Sequence, residues 1–306
     1  MAGTATSTST RVLQLREPLH LGQTFGPVAH TLGWLTSRVR GDTWWHAMNT
    51  AAGPVTLLVE VDRDRAEATL RTWGPAHEWA AARIDALIGA AEPQRFGHPV
   101  LDGLAHSMPG LRVGALGAFG DLAAATIIGQ RVTTVEARRQ WRTIVRRFGV
   151  RAPGPVDLML PPDARMLASL TDWEWRRAGV EGQRADTIRR CAREAPTLDR
   201  AETLDALTAR LRTIRGIGRW TAAHITHFGA ADPDAVPVGD WHLKHHVTYA
   251  LAGERRGTDV RMLELLEPFR PNRARAWRLL MAGAPGPPRR APRARIVGLL
   301  AAEARR

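Results

Sequence analysis

The chain has 306 residues with 44% apolar side chains, enough material for two modest domains with buried cores. Lys and Arg number 43 against 30 Asp and Glu, a net charge of +13, and a globular chain this basic usually meets a polyanion. Cys191 is the only cysteine, which excludes an internal disulfide, a cysteine-rich zinc site and a four-cysteine iron–sulfur cluster.

Residues 1–11, MAGTATSTST and Arg11, read as a disordered Ser/Thr tail without the apolar stretch of a secretion signal. No window is long and apolar enough for a membrane span, so the expectation is a cytoplasmic, nucleoid-associated monomer with no membrane partner. From 12 to 92 the texture is α+β. VLQL, WWHAMN and the alternating, β-branched PVTLLVEVD predict strands, with turn signals at Gly41-Asp42 and Ala52-Gly53-Pro54. WGPAHEWAAARIDALIGA has apolar residues at helical spacing and predicts a helix closing near Gly89, while the adjacent Trp44 and Trp45 are assigned to core packing.

From 93 to 284 the strand signals stop and short helices follow one another: HPVLDGLAHSM, two in FGDLAAATIIGQRVTTVEARRQWRTIVRRFG, then ARMLASLTDWEWRRAG, QRADTIRRCARE, AETLDALTARLRTI, GRWTAAHITHFG and DWHLKHHVTYAL. Residues 285–306, with PPRRAPRAR, form a basic Pro/Arg-rich segment read as a solvated charge run. The fold class expected is mostly α with a small α+β N-terminal domain.

The stretch IRGIGRWTA, residues 214–222, sets two glycines around one isoleucine just before a helix. Glycines leave main-chain N–H groups unshielded, and a helix start adds partial positive charge, so the pattern suits an anion such as phosphate. A plain helix–helix corner with a glycine cap is the alternative. Downstream, DPDAVPVGDWHLKHHV puts the carboxylate of Asp240 at the start of the next helix, where it also suits an N-cap.

The blocks HPVLDGLAHSMPGLR, IIGQRVTT, LRTIRGIGRWTA, PVGDWHLK and EPFRPNRARAW, in that order, resemble the helix-hairpin-helix superfamily of DNA base-excision glycosylases. Within it the chain is similar to the bacterial alkylpurine type, the inducible 3-methyladenine DNA glycosylases. The resemblance implies helix-hairpin-helix glycosylase architecture and a substrate of double-stranded DNA containing damaged bases. It implies main-chain N–H groups of Gly216, Ile217 and Gly218 against DNA phosphates beside Arg215. No cofactor and no metal ligand set is implied beyond a monovalent cation at the hairpin carbonyls.

By the same resemblance Asp240 is the catalytic carboxylate, stabilising an oxocarbenium-like sugar and orienting the attacking water. Trp220 stands where strand-cutting members carry a Schiff-base lysine, and Lys244, the sole lysine, does not match that place, which implies hydrolysis without strand cleavage. Trp220, Trp241 and His224 correspond to base-pocket positions, with an indole face suited to a cationic base. Gln130 and Arg131 fall where a wedge enters the gap left by the flipped nucleotide, although an apolar residue is common where Arg131 stands. His242, His245 and His246 have a spacing that could hold metal, but a solvated or DNA-facing helix is the preferred reading. For Arg270, Arg273 and Arg275, salt bridging and phosphate contact remain open. The rivals are a glycosylase for deaminated or oxidised purines, protonated by His224 or His242, and a non-catalytic DNA-binding module.

Overall fold

The computed structural model describes residues 7–89 and 95–288. The N-terminal lobe is a five-stranded antiparallel sheet built from β1 (Thr8–Gln14), β2 (Ser37–Arg40), β3 (Thr43–Thr50), β4 (Gly53–Asp62) and β5 (Glu67–Trp73), in the order β1-β5-β4-β3-β2. Against β2 and β3 packs α1 (Leu21–Leu32), whose Phe25 stacks on Trp44 at 3.7 Å. Trp44 is fully buried, as assigned from sequence, and Trp45 stacks on Trp73.

Three expectations for the lobes need correction. The tail is not disordered up to residue 11: Thr8 to Arg11 pair with β5, where ladder hydrogen bonds override the Ser/Thr composition. The helix read between Trp73 and Ala90 is two short ones, α2 (His77–Ala81) and α3 (Ile84–Ile88), because Arg83 leaves helical geometry with ψ of 15°. Strands also do not stop at 93, since β6 (Val150–Arg151) and β7 (Met159–Leu160) form a small ribbon that packs on β3. Of the basic C-terminal segment, residues 289–306 lie outside the described residues.

The helical part runs α4 (Pro99–Ser107), α5 (Phe119–Ile128), α6 (Thr134–Phe148), α7 (Ala164–Ser169), α8 (Asp172–Arg177), α9 (Gly182–Leu198), α10 (Leu204–Thr213), α11 (Arg219–Ala230), α12 (Trp241–Ala252), α13 (Asp259–Leu266) and α14 (Arg273–Gly283). It does not share one core. One apolar cluster joins the sheet and α1 to α5, α6, α9, α10 and α11; a second joins α4, through Leu101 and Ala105, to Leu243, Met262 and Trp277 of the last helices. Helix α4 therefore leaves its sequence neighbours and completes the C-terminal bundle.

The centre of the first cluster is α5, buried on nearly every side, as its even apolar composition requires. Asp121 in its first turn accepts hydrogen bonds from the Asn49 main-chain N (2.8 Å) and Nδ2 (3.1 Å) of β3, locking the helix to the sheet. Burial pushes the Asp121 carboxyl up to about 7 despite those bonds. Its far end is fixed by the buried Arg184 of α9, which donates to the Ile128 carbonyl at 2.6 Å and to Gln140 Oε1 of α6 at 3.0 Å. A helix held at both ends is a rigid mount for the turn that follows it.

Candidate active site

Between α10 and α11 the chain turns through residues 214–218. Ile217 donates its main-chain N–H to the Ile214 carbonyl at 3.0 Å and buries its side chain, so it closes the turn from inside. That removes the Ile217 N–H from the anion-facing set expected of it. Gly216 has φ of +100°, and a Cβ there would lie 2.2 Å from Thr187 Oγ1, so internal packing explains this glycine. Gly218 meets nothing within 4 Å. It starts α11 with no side-chain cap, leaving first-turn N–H groups pointing outward. Arg215 is exposed, and its carbonyl accepts from Arg190 Nη1 at 3.0 Å.

The end of α5 abuts this hairpin. Gln130 Nε2 donates to the Gly216 carbonyl at 3.1 Å and to Thr221 Oγ1 at 2.8 Å, so its amide faces the protein and braces the turn rather than extending outward. A Cβ on Gly129 would stand 3.8 Å from Cη2 of Trp220. Arg131 follows, exposed and in the left-handed region with φ of +58°.

Opposite stands the start of α12, in the second core. Asp240 caps that helix: Oδ1 accepts from the main-chain N of His242 and of Leu243, both at 2.8 Å. Its other oxygen, Oδ2, accepts from Trp220 Nε1 of α11 at 3.0 Å, a hydrogen bond that crosses between the two cores. Burial alone would raise the Asp240 carboxyl, but the bonds from Leu243 and Trp220 and the nearby His224 outweigh it and hold the group below the ordinary carboxylate range. The carboxylate is ionised at neutral pH, and Oδ2 keeps a lone pair for a further donor.

His224 lies one turn after Trp220, its ring 4.5 Å away and edge-on, with Phe228 stacked behind at 6.0 Å. Its Nε2 is buried without a hydrogen-bond partner among the described residues. Burial lowers its pKa to about 4 against the pull of Asp240, so the imidazole is neutral at physiological pH. The cleft thus combines one fixed carboxylate, one oriented indole and one neutral imidazole, with outward N–H groups at its rim.

No protein-family model matches the chain, and no curated protein matches it in sequence. Solved structures do match. The 3-methyladenine DNA-glycosylase from Archaeoglobus fulgidus superposes with a TM-score of 0.73 at 19% identity, over 89% of this chain and 97% of that one. The Clostridium acetobutylicum 8-oxoguanine glycosylase/lyase in its apo-form gives 0.66 at 12% identity, over 90% and 97%. The Schizosaccharomyces pombe 3-methyladenine DNA glycosylase in complex with abasic DNA gives 0.50 at 18%, over 61% and 93%. The fold is that of the helix-hairpin-helix DNA glycosylases.

Within this glycosylase fold the remaining predicted residues separate. Trp241 does not join Trp220: it is 69% exposed, its ring set edge-on to His245 and under the Lys244 ammonium. The first position of α12 points outward while Leu243 points in, so of the three residues expected to line a base pocket only Trp220 and His224 are in ring contact. His245 Nδ1 accepts from the Gly257 N–H at 3.0 Å, and His246 Nε2 donates to the carbonyls of Leu280 and Ala284, so these rings serve different neighbours. Lys244 pairs with Asp259 at 3.3 Å. Arg270 and Arg273 both grip Asp234, at 2.9 and 2.6 Å, which decides for salt bridging, and Arg275 is buried in α14. Thr187 and Arg190 were missed from sequence because only the fold brings α9 to the hairpin, and Thr221, although inside the quoted stretch, has nothing in its local spacing that marks it as the partner of Gln130.

Proposed function

We propose that the protein is a DNA glycosylase that flips an alkylated purine out of duplex DNA and releases it by hydrolysis, leaving an abasic site. The observation that carries this reading is the Trp220–Asp240 hydrogen bond, which joins an oriented aromatic face to an ionised carboxylate. Cleaving the N-glycosidic bond builds positive charge on the sugar, and a fixed carboxylate at that point stabilises it and orients water through the free lone pair of Oδ2. The edge of Trp220 is tied to Asp240, so its face is left for the extruded base, and an indole face favours a cationic ring.

A cationic N-alkylpurine leaves without protonation. The neutral His224 neither repels it nor offers a proton to a neutral lesion, which favours alkylated over deaminated or oxidised purines. Trp220 at the lyase-lysine position, with Lys244 engaged by Asp259, supports water as the nucleophile and an uncut strand. Gly216, Gly218 and the uncapped start of α11 would meet backbone phosphates, with Gln130 as their brace and Arg215 nearby. The carbonyls of Arg212 and Ile217, which accept no hydrogen bond among the described residues, are hard oxygens suited to a monovalent cation there. The protein would act as a monomer.

Purified protein incubated with duplexes carrying 7-methylguanine, 3-methyladenine or hypoxanthine tests this reading. The expected result is free methylated base with strand breaks only after alkali. Breaks without alkali would overturn the hydrolytic assignment, and tight binding with no release from any lesion would replace the enzyme with a binding module.

A further inference from the structure

The chain enters Asp240 through Gly239, which takes φ of +97° and would meet nothing within 4 Å if it carried a Cβ. Glycine is the least restrained of residues, so the peptide that delivers the carboxylate is the softest point of the site. Two hydrogen bonds restrain it. The Asp240 main-chain N donates to the Pro237 carbonyl at 3.1 Å, which closes a turn within the loop itself. The Gly239 N–H donates to Asp259 Oδ1 at 2.9 Å, which ties the loop to α13. The second oxygen of Asp259 accepts from Lys244 Nζ at 3.3 Å, and Lys244 stands one turn into α12, four residues after Asp240. A closed circuit thus runs from Asp240 along α12 to Lys244, across to Asp259, and back to Gly239. Gly257 seals the same contact: a Cβ there would lie 2.5 Å from the Lys244 carbonyl, and its N–H donates to His245.

We infer that Asp259 is a positioning residue for base release: by accepting from the Gly239 N–H it fixes the peptide before Asp240 and so sets where Oδ2 stands. This rests on the glycosylase reading and concerns the same site. An acid in the first turn of a helix is ordinarily explained by the partial positive charge there. That charge does not account for an oxygen turned back onto the main chain of residue 239, 20 positions earlier. The placement matters because Trp220 belongs to the other apolar core, and the 3.0 Å bond from its Nε1 to Oδ2 spans the two. A carboxylate that stabilises a developing positive charge acts only from a fixed point, and support from behind is what keeps it there.

The test records single-turnover release of 7-methylguanine, duplex affinity and melting temperature in wild-type protein, Asp259→Ala, Asp259→Asn and Thr258→Ala. Asp259→Ala removes the acceptor, and release is expected to fall about 10–10²-fold, the cost of misplacing a reacting group by up to about 1 Å, with affinity within about threefold. Asp259→Asn gives up the ion pair with Lys244 but keeps a carbonyl oxygen for the Gly239 N–H, so release should recover to within about fivefold of wild type. Thr258 caps α13 by accepting from the Arg261 N–H, so Thr258→Ala should lower the melting temperature and leave release unchanged. Undiminished release in Asp259→Ala, a loss that Asp259→Asn does not recover, or an equal loss in Thr258→Ala overturns the inference. Wild-type protein that releases no base from any lesion overturns the glycosylase reading and this inference with it, whereas wild-type release that Asp259→Ala leaves intact overturns this inference alone.

Discussion

His46 lies in the sheet lobe, stacked on Trp44 at 5.4 Å, and burial lowers its pKa to about 4. His224 lies in α11 beside the cleft, and burial lowers its pKa to about 4 as well, against the pull of Asp240. In the sheet the neighbours are apolar and the ring serves as packing. In the cleft the same neutral imidazole stands beside Trp220 and within electrostatic reach of Asp240; both rings bury nitrogen without a hydrogen-bond partner among the described residues, Nδ1 and Nε2 of His46 and Nε2 of His224, at a cost of about 1–3 kcal/mol for each such group. One lobe uses burial to hold the fold, and the other uses it to set charge where a substrate would sit.

Truncating the cleft should have the largest effect. Trp220→Ala removes both a stacking face and the hydrogen bond to Asp240, together about 3–5 kcal/mol, so single-turnover base release should fall by two to three decades with little change in melting temperature. Gly216→Ala strikes the fold instead: the methyl would meet Thr187 at φ of +100°, lowering stability by about 2–4 kcal/mol in denaturant unfolding.

The sheet histidine responds to acid. Its folded pKa lies below the unfolded value of 6.5, so its contribution is complete above pH 6.5 and is lost as pH falls to about 4, by about 3 kcal/mol. His46→Phe should remove that slope from the melting temperature. Asp121 runs the other way, since its raised pKa favours the fold below 3.8 and loses that contribution as pH rises through about 7, so each trend is read from its own variant.

Trp220→Phe keeps the aromatic face and removes only the N–H. Release should drop about tenfold, as expected for one hydrogen bond to a charged group, and the acid limb of the rate profile should move to higher pH because Asp240 loses a bond that holds it ionised. The smallest effect on stability belongs to Gly218→Ala, under about 1 kcal/mol, because nothing inside the protein meets the new methyl. Its signature would be weaker duplex binding, the reverse of Gly216→Ala.

Much of the fold was legible because its signals are local. The alternation of PVTLLVEVD and the glycine pair of IRGIGRWTA each specify their own backbone, and β4 and the 214–218 turn appear where they predict. Thr8 to Arg11 were misread because a strand edge can recruit Ser and Thr through main-chain bonds that composition does not reveal. Asp240 was legible as a helix cap, a role that its Oδ1 fills, while Oδ2 accepts from Trp220. Trp241 was not, since adjacency to Asp240 says nothing about which way the first residue of a helix points. The role of Gln130 as a brace depends on Gly216, 86 positions away, a distance no local pattern spans.

The most direct measurement compares wild-type protein with Asp240→Asn on one duplex carrying 7-methylguanine, recording single-turnover base release and duplex affinity together. Asn retains the shape of the cap but not the charge. Release should fall by about 10²–10⁴ while affinity stays within about threefold, because phosphate contacts do not involve this carboxylate. Release that persists in Asp240→Asn would contradict the assignment of the chemistry to the carboxylate that Trp220 holds.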